Sequence, residues 1–157
     1  MKLTCLVGTF YLQIIAKACK QLGFDFDLQL YSTQRLEDQP GLLEEALKSM
    51  EGSDLIFRYR GSEALWDEIE PKMNEIGKYV PTVCLGNDQS YWLNSTAPAK
   101  VVVTANAYLT FGGEENIKNM LLYLCQELLH MNVTALPPCP MPWEGAYHPD
   151  SPTHFEN

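Results

Sequence analysis

The sequence predicts an α/β domain built on a doubly wound parallel sheet. Two observations lead there. Short apolar runs that stop near glycine alternate with helical periodicities, and over residues 2–86 the order is strand, helix, strand, helix, strand, helix, strand. That alternation implies parallel strands whose crossover helices cover both faces. At 157 residues there is also chain enough for one core of ordinary size.

KLTCLVG, Lys2 to Gly8, is apolar and partly β-branched, as a buried parallel strand requires. Helical spacing follows from Tyr11 to Leu22 through Leu12, Ile15, Ala16 and Cys19, and Gly23 supplies the stop. FDFDLQLY, Phe24 to Tyr31, alternates apolar and polar residues and reads as an edge strand. Pro40 opens a helix from Gly41 to Met50, and Gly52 ends it. SDLIFRY, Ser53 to Tyr59, is a third strand. Ser62 is placed to cap a helix from Glu63 to Ile76 that buries Leu65, Trp66, Ile69, Met73 and Ile76. VPTVCLG, Val80 to Gly86, is the fourth strand.

The segment PAKVVVTANAYLTFGG is ambiguous, because three consecutive valines suit a fifth strand while Ala105, Ala107, Tyr108 and Leu109 suit a helix. Punctuation favours the helix, with Ser95 or Thr96 as cap, Pro98 in the first turn and Gly112-Gly113 as a left-handed stop. Glu114 and Glu115 then open a last helix carrying Ile117, Leu121, Leu124 and Leu128. Those glycines do not form a phosphate loop, since no Lys-Ser or Lys-Thr pair follows them. The expected architecture is a flavodoxin-like three-layer sandwich of four parallel strands, or five if the valines join the sheet. The domain occupies residues 1–133, and a proline-dense extended connector occupies 134–157.

Eleven Lys and Arg against twenty Asp and Glu give a net charge of −9, which argues against nucleic acid or an anionic membrane as partner. The odd set of five cysteines contains no C-x-x-C pair, and three of them sit in apolar runs, so the expected setting is reducing and cytoplasmic. No run is long and apolar enough to span a membrane.

In a parallel sheet of this kind ligands bind beyond the carboxyl ends of the strands. Three loops meet there, and they supply Thr9, Arg58, Arg60, Ser62, Asn87, Tyr91 and Trp92 as candidate ligand-binding residues. The first loop lacks the hydroxyl residues and glycines that would wrap FMN or NAD, and the acids of a phospho-receiver are missing. Arg58 and Arg60 stand two apart on a strand and so share one side. With Tyr59, Tyr91 and Trp92 they are placed to grip carboxylates or amides of a flat ligand. The alternative is that they pair with the surplus acids. His148 and His154, near Asp150 and Glu156, offer at most a weak metal site in the tail. No catalytic residue emerges, and Cys84 in a buried strand is a poor nucleophile.

Three blocks carry a resemblance. KLTCLVGTFYLQIIAKACKQLG, VPTVCLGNDQSYW with ANAYLTFGGEENIKNMLLYL, and PMPWEGAYHPD together resemble the N-terminal region of the CobN-type cobaltochelatase large subunit, a family shared with the magnesium chelatase H subunit. The most specific residues are Tyr108, Gly112, Gly113, Glu115, Asn116 and Asn119, then Gly145 with Tyr147, His148 and Pro149. The resemblance implies a subunit that binds a tetrapyrrole, takes Co or Mg as substrate ion, and works with AAA+ ATPase subunits that hold the ATP. It implies no cofactor on this domain, partnership with the remaining domains of the large subunit, and His148 as candidate metal ligand. The rival expectation is an interaction module with no ligand of its own.

Overall fold

Leu3, Cys5 and Val7 face one way along the first strand and Leu6 the other, so a single run of sequence feeds two cores. The computed structural model describes residues 1–140. Its order is β1 (Lys2–Val7), α1 (Thr9–Lys20), β2 (Asp27–Ser32), α2 (Thr33–Asp38), α3 (Pro40–Glu51), β3 (Leu55–Arg60), α4 (Leu65–Gly77), β4 (Thr82–Gly86), a 3-10 turn (Gln89–Asn94), α5 (Ala99–Phe111) and α6 (Glu114–Leu128). The four strands are all parallel and lie in the order β2-β1-β3-β4. The parallel sheet is what the alternation implied.

On one face Leu3, Cys5, Leu55, Phe57, Val83 and Leu85 pack with Ile15 of α1, Val102 and Tyr108 of α5, and Ile117 and Leu121 of α6. On the other, Leu6, Tyr31 and Ile56 pack with Leu36, Ala46, Met50, Trp66 and Ile69 from α2, α3 and α4. A buried hydroxyl trio joins Thr4 to Ser53 at 2.6 Å and Ser49 at 3.0 Å, which satisfies the one polar side chain in the middle of β1.

The valine run is helical, as its punctuation favours, so the alternative of a fifth strand is not realised among the described residues. Two local expectations are corrected. Ser95 and Thr96 do not cap α5, whose N-cap is Pro98. Their hydroxyls instead serve the free edge of β4: the Cys84 and Thr82 amides donate to Ser95 Oγ (2.8 Å) and Thr96 Oγ1 (2.9 Å), and the Thr96 and Ala97 amides donate to the Thr82 carbonyl. Ser62 likewise does not cap α4, which begins at Leu65 behind Ala64. The Glu37 carboxylate takes that role by accepting from the Ala64 amide at 2.7 Å.

Gly112 (φ 68°) and Gly113 (φ 81°) turn the chain from α5 into α6 through left-handed backbone that other residues resist. After α6 the chain reverses and runs back along that helix, so the first residues of the expected connector lie against the domain. The Ala135 amide donates to Gln126 (3.3 Å) and the Leu136 amide to Asn119 (2.8 Å), while the Tyr108 hydroxyl donates to the Leu136 carbonyl. Asn116 makes two bonds to Cys139, accepting from its amide at 2.9 Å and donating to its carbonyl at 2.8 Å. Gly145, Tyr147, His148, Pro149 and His154 lie outside the described residues. Among the described residues no helix is long and apolar enough to cross a membrane.

Candidate functional site

Strand order reverses between β1 and β3, because the crossover from β1 runs over one face and the return to β3 over the other. At that switch point the carboxyl ends open a cleft of about 260 Å³ lined by Gly8, Phe10, Tyr11, Gln34, Tyr59, Gly61, Ser62, Glu63 and Asn87. A larger groove of about 510 Å³, bordered by Phe24, Phe26, Asp25 and Asp27, lies toward the amino end of β2. The fold places ligand chemistry at the carboxyl ends, so the smaller cleft is the candidate site.

One wall is aromatic. Tyr11 and Tyr59 stand 5.0 Å apart between ring centres, and Phe10 meets Tyr11 edge-on at 5.2 Å with 86% of its own surface exposed. Burial, with the Tyr59 ring beside it, pushes the Tyr11 phenol up to about 12, so it stays a neutral phenol at physiological pH. The floor is polar and tightly bonded. Glu63 accepts from the Thr33 hydroxyl (2.6 Å) and the Gln34 amide (2.9 Å) on one oxygen, and from the Trp66 indole (3.0 Å) on the other. The Gln34 carbonyl in turn accepts from the Thr9 amide (3.0 Å) and hydroxyl (3.1 Å).

This floor decides what the cleft can hold. Gln34 occupies the Thr9 N–H, a donor that an anion would otherwise use at the start of α1, and Glu63 contributes negative charge. A ligand is therefore met by carboxylate, amide oxygen and aromatic faces, which suit a flat ring carrying N–H or amide groups better than one carrying carboxylates. Burial raises the Glu63 carboxyl, but its hydrogen bonds from Thr33, the backbone and Trp66 outweigh that and hold it below its ordinary range. A depressed carboxyl contributes stability that is present at neutral pH and lost as pH falls through its folded value. Glu63→Gln is accordingly expected to flatten the acid limb of a stability-versus-pH curve, as followed by urea midpoints between pH 7 and pH 3. An unchanged acid limb would sever Glu63 from that dependence.

The sequence-predicted candidates separate. Thr9, Ser62 and Asn87 border or brace the cleft. Arg58 does not, being 1% exposed and turned toward α4, where it makes a two-pronged pair with Glu70 at 2.7 and 3.1 Å. Arg60 binds the same Glu70 (3.0 Å) and Asp67 (2.8 Å), and its guanidinium lies 4.4 Å over the Tyr91 ring. A methyl group on Gly86 would stand 2.6 Å from that ring and 2.5 Å from the Arg60 carbonyl, so glycine is needed for the stack to form. Trp92 packs, half-buried, against the core on the other face of the sheet. Of the two readings of Arg58 and Arg60, pairing with acids is the one the structure displays.

Phe10, Tyr11, Gln34 and Glu63 were not singled out as candidates. Phe10 and Tyr11 stood in the loop considered, but Gln34 and Glu63 are twenty-nine positions apart, joined by pairing that no local pattern announces. Cys84 is buried beside the arginines, and burial outweighs their pull and pushes its thiol up to about 11, which leaves it unreactive. No group of three or more His, Cys, Asp or Glu side chains suited to a metal occurs among the described residues.

The architecture matches the catalytic subunit of cobaltochelatase from Mycobacterium tuberculosis with a TM-score of 0.67 and 18% identity, over 96% of this chain and 12% of that one. Residues 106–157 match the CobN/Magnesium Chelatase family model. In fold, and over residues 106–157 in sequence, the chain is similar to CobN-type chelatase subunits. Two proteins of Methanocaldococcus jannaschii are similar in sequence, both named only as uncharacterized. MJ1441 is 33% identical over 128 residues, 79% of this chain and 9% of that protein, and MJ0908 is 46% identical over 41 residues, 26% of this chain and 3% of that protein. The chain thus spans about a tenth or less of these two relatives.

Proposed function

We propose that this chain is a CobN-type region that supplies part of the tetrapyrrole cleft of a metal chelatase subunit, in which Co or Mg is the substrate ion. The observation that carries the reading is the switch-point cleft, with its exposed Phe10 beside the Tyr11–Tyr59 pair and its anchored Glu63. Aromatic rings present flat apolar faces to a macrocycle, and Glu63 and Asn87 accept hydrogen bonds from amide side arms at its edge. Metal insertion requires the ion to lose its water and the ring to lose two protons, and we assign neither step to this region. Those steps, and the ATP-driven remodelling by AAA+ subunits, belong to the rest of the enzyme.

The test is a titration of the chain with cobyrinate-type and protoporphyrin-type rings in amidated and free-acid forms, read by ring absorbance and tryptophan quenching. Saturable binding that favours the amidated ring and weakens about tenfold in Phe10→Ala is the expected result, equivalent to about 1.4 kcal/mol. Equal binding by both forms would overturn the role of Glu63, and no binding at all would overturn the reading. A second reading, a docking module for the remaining domains, rests on α5, which is apolar nearly all round yet leaves Val103 53% exposed next to Leu93 at 87%. It is the reading that failure of the titration would favour.

A further inference from the structure

Residues 135–140, ALPPCP, have only three backbone N–H groups, since Pro137, Pro138 and Pro140 have none. All three are bound by side chains of α6: Ala135 by Gln126, Leu136 by Asn119 and Cys139 by Asn116. The prolines thus fall at the positions where nothing on α6 asks for a donor. Two carbonyls are read as well, that of Leu136 by the Tyr108 hydroxyl and that of Cys139 by the Asn116 amide. Meanwhile Leu136 is 64% exposed and Cys139 is exposed too. The segment is held by its backbone while those side chains face water.

The reading side chains are themselves positioned. Asn116, Asn119 and Gln126 lie along one stripe of α6, and Asn116 is braced by donating to the Gly112 carbonyl (2.7 Å) while Asn119 donates to the Glu115 carbonyl (2.9 Å). Tyr108 is buried in the adjoining core with its ring 5.9 Å from Tyr123. Residues 106–157, the stretch that matches the family model, contain both the reading side chains and the segment they read.

We propose that Tyr108, Asn116, Asn119 and Gln126 form a clamp for an extended, proline-spaced peptide backbone, occupied in cis by residues 135–139. Three of these four are among the residues that carry the family resemblance, so the clamp gives them a task in chain positioning that is independent of the cleft. Its selectivity lies in the pattern of N–H groups and in the extended conformation that the prolines pre-organise, and not in side-chain pockets. Whatever follows Pro140 starts from a fixed place beside the Gly112 corner.

Two experiments on the full chain test it. Amide hydrogen exchange by NMR is expected to show Leu136 and Cys139 protected, with Cys139 exchanging about tenfold or more faster in Asn116→Ala and retaining protection in Asn116→Asp, which keeps the acceptor. Core amides of β1 and β3 should not move. The second uses Leu136→Pro with Cys139→Pro, which removes two of the segment's N–H groups that the clamp accepts. That variant is expected to bind the added peptide TALPPCP saturably, whereas an all-proline heptapeptide, which lacks internal N–H groups, should not bind. Unprotected Leu136 and Cys139 amides in the unaltered chain, or equal binding of the two peptides, would overturn the clamp.

Discussion

Glu70→Ala is expected to destabilise the domain by about 3–5 kcal/mol, because it leaves a buried guanidinium without its counter-charge. Arg58 spans the interior between β3 and α4, and two of its nitrogens rest on Glu70, with the Asn94 carbonyl as the remaining acceptor at 3.2 Å. Without Glu70 that single carbonyl would face a full positive charge. Arg60 would keep Asp67, which is largely in solvent and so a weaker partner. The pair as a whole is a different matter, since replacing both members by apolar residues of similar size is often close to neutral. Arg58→Met combined with Glu70→Leu should therefore recover most of the loss. Urea unfolding of the three chains settles it: a single-variant loss under about 1 kcal/mol would mean that water already reaches Arg58.

Trp66→Ala should cost a similar amount, about 3–5 kcal/mol, as a large buried side chain is cut back to a methyl group and leaves a cavity between α4 and the sheet. This tryptophan also joins core to cleft, because its indole N–H holds one oxygen of Glu63. Trp66→Phe separates the two duties. It keeps most of the packing and removes the donor, so it is expected to be much the milder variant in urea while lifting the Glu63 carboxyl back toward its ordinary range. If Trp66→Phe destabilised as severely as Trp66→Ala, the hydrogen bond and not the packing would be the larger contribution.

The strands and the long helices were legible in the sequence because each combines a period with a stop: Gly23 after α1, Gly52 after α3, Gly112-Gly113 after α5. Two elements were not. α2 is one and a half turns with Leu36 as its single core residue, and the turn at Gln89–Asn94 buries nothing fully, so neither leaves a periodic trace. The site was half legible. Fold topology located the loops, and strand alternation put Arg58 and Arg60 on one side, but it could not say whether that side met solvent or Glu70. Nor does any spacing reveal that Asn116 reaches a residue twenty-three positions later. Such pairings depend on how the chain reverses after α6, which is a matter of tertiary packing.

The hydroxyl-sealed border of β4 has a consequence for how misassembled copies of this domain can grow. A sheet with two open borders can add strands from other molecules without end, which is the geometry of a fibril. Here Ser95, Thr96 and Ala97 already occupy the donors and acceptors of Thr82 and Cys84, so among the described residues only β2 offers an unpaired border. Two native-like copies joined through β2 would use up both open borders and stop at a closed pair. Polymerisation through the sheet would first require Ser95–Ala97 to peel away, which makes that short segment, and not the strands, the gate to aggregation.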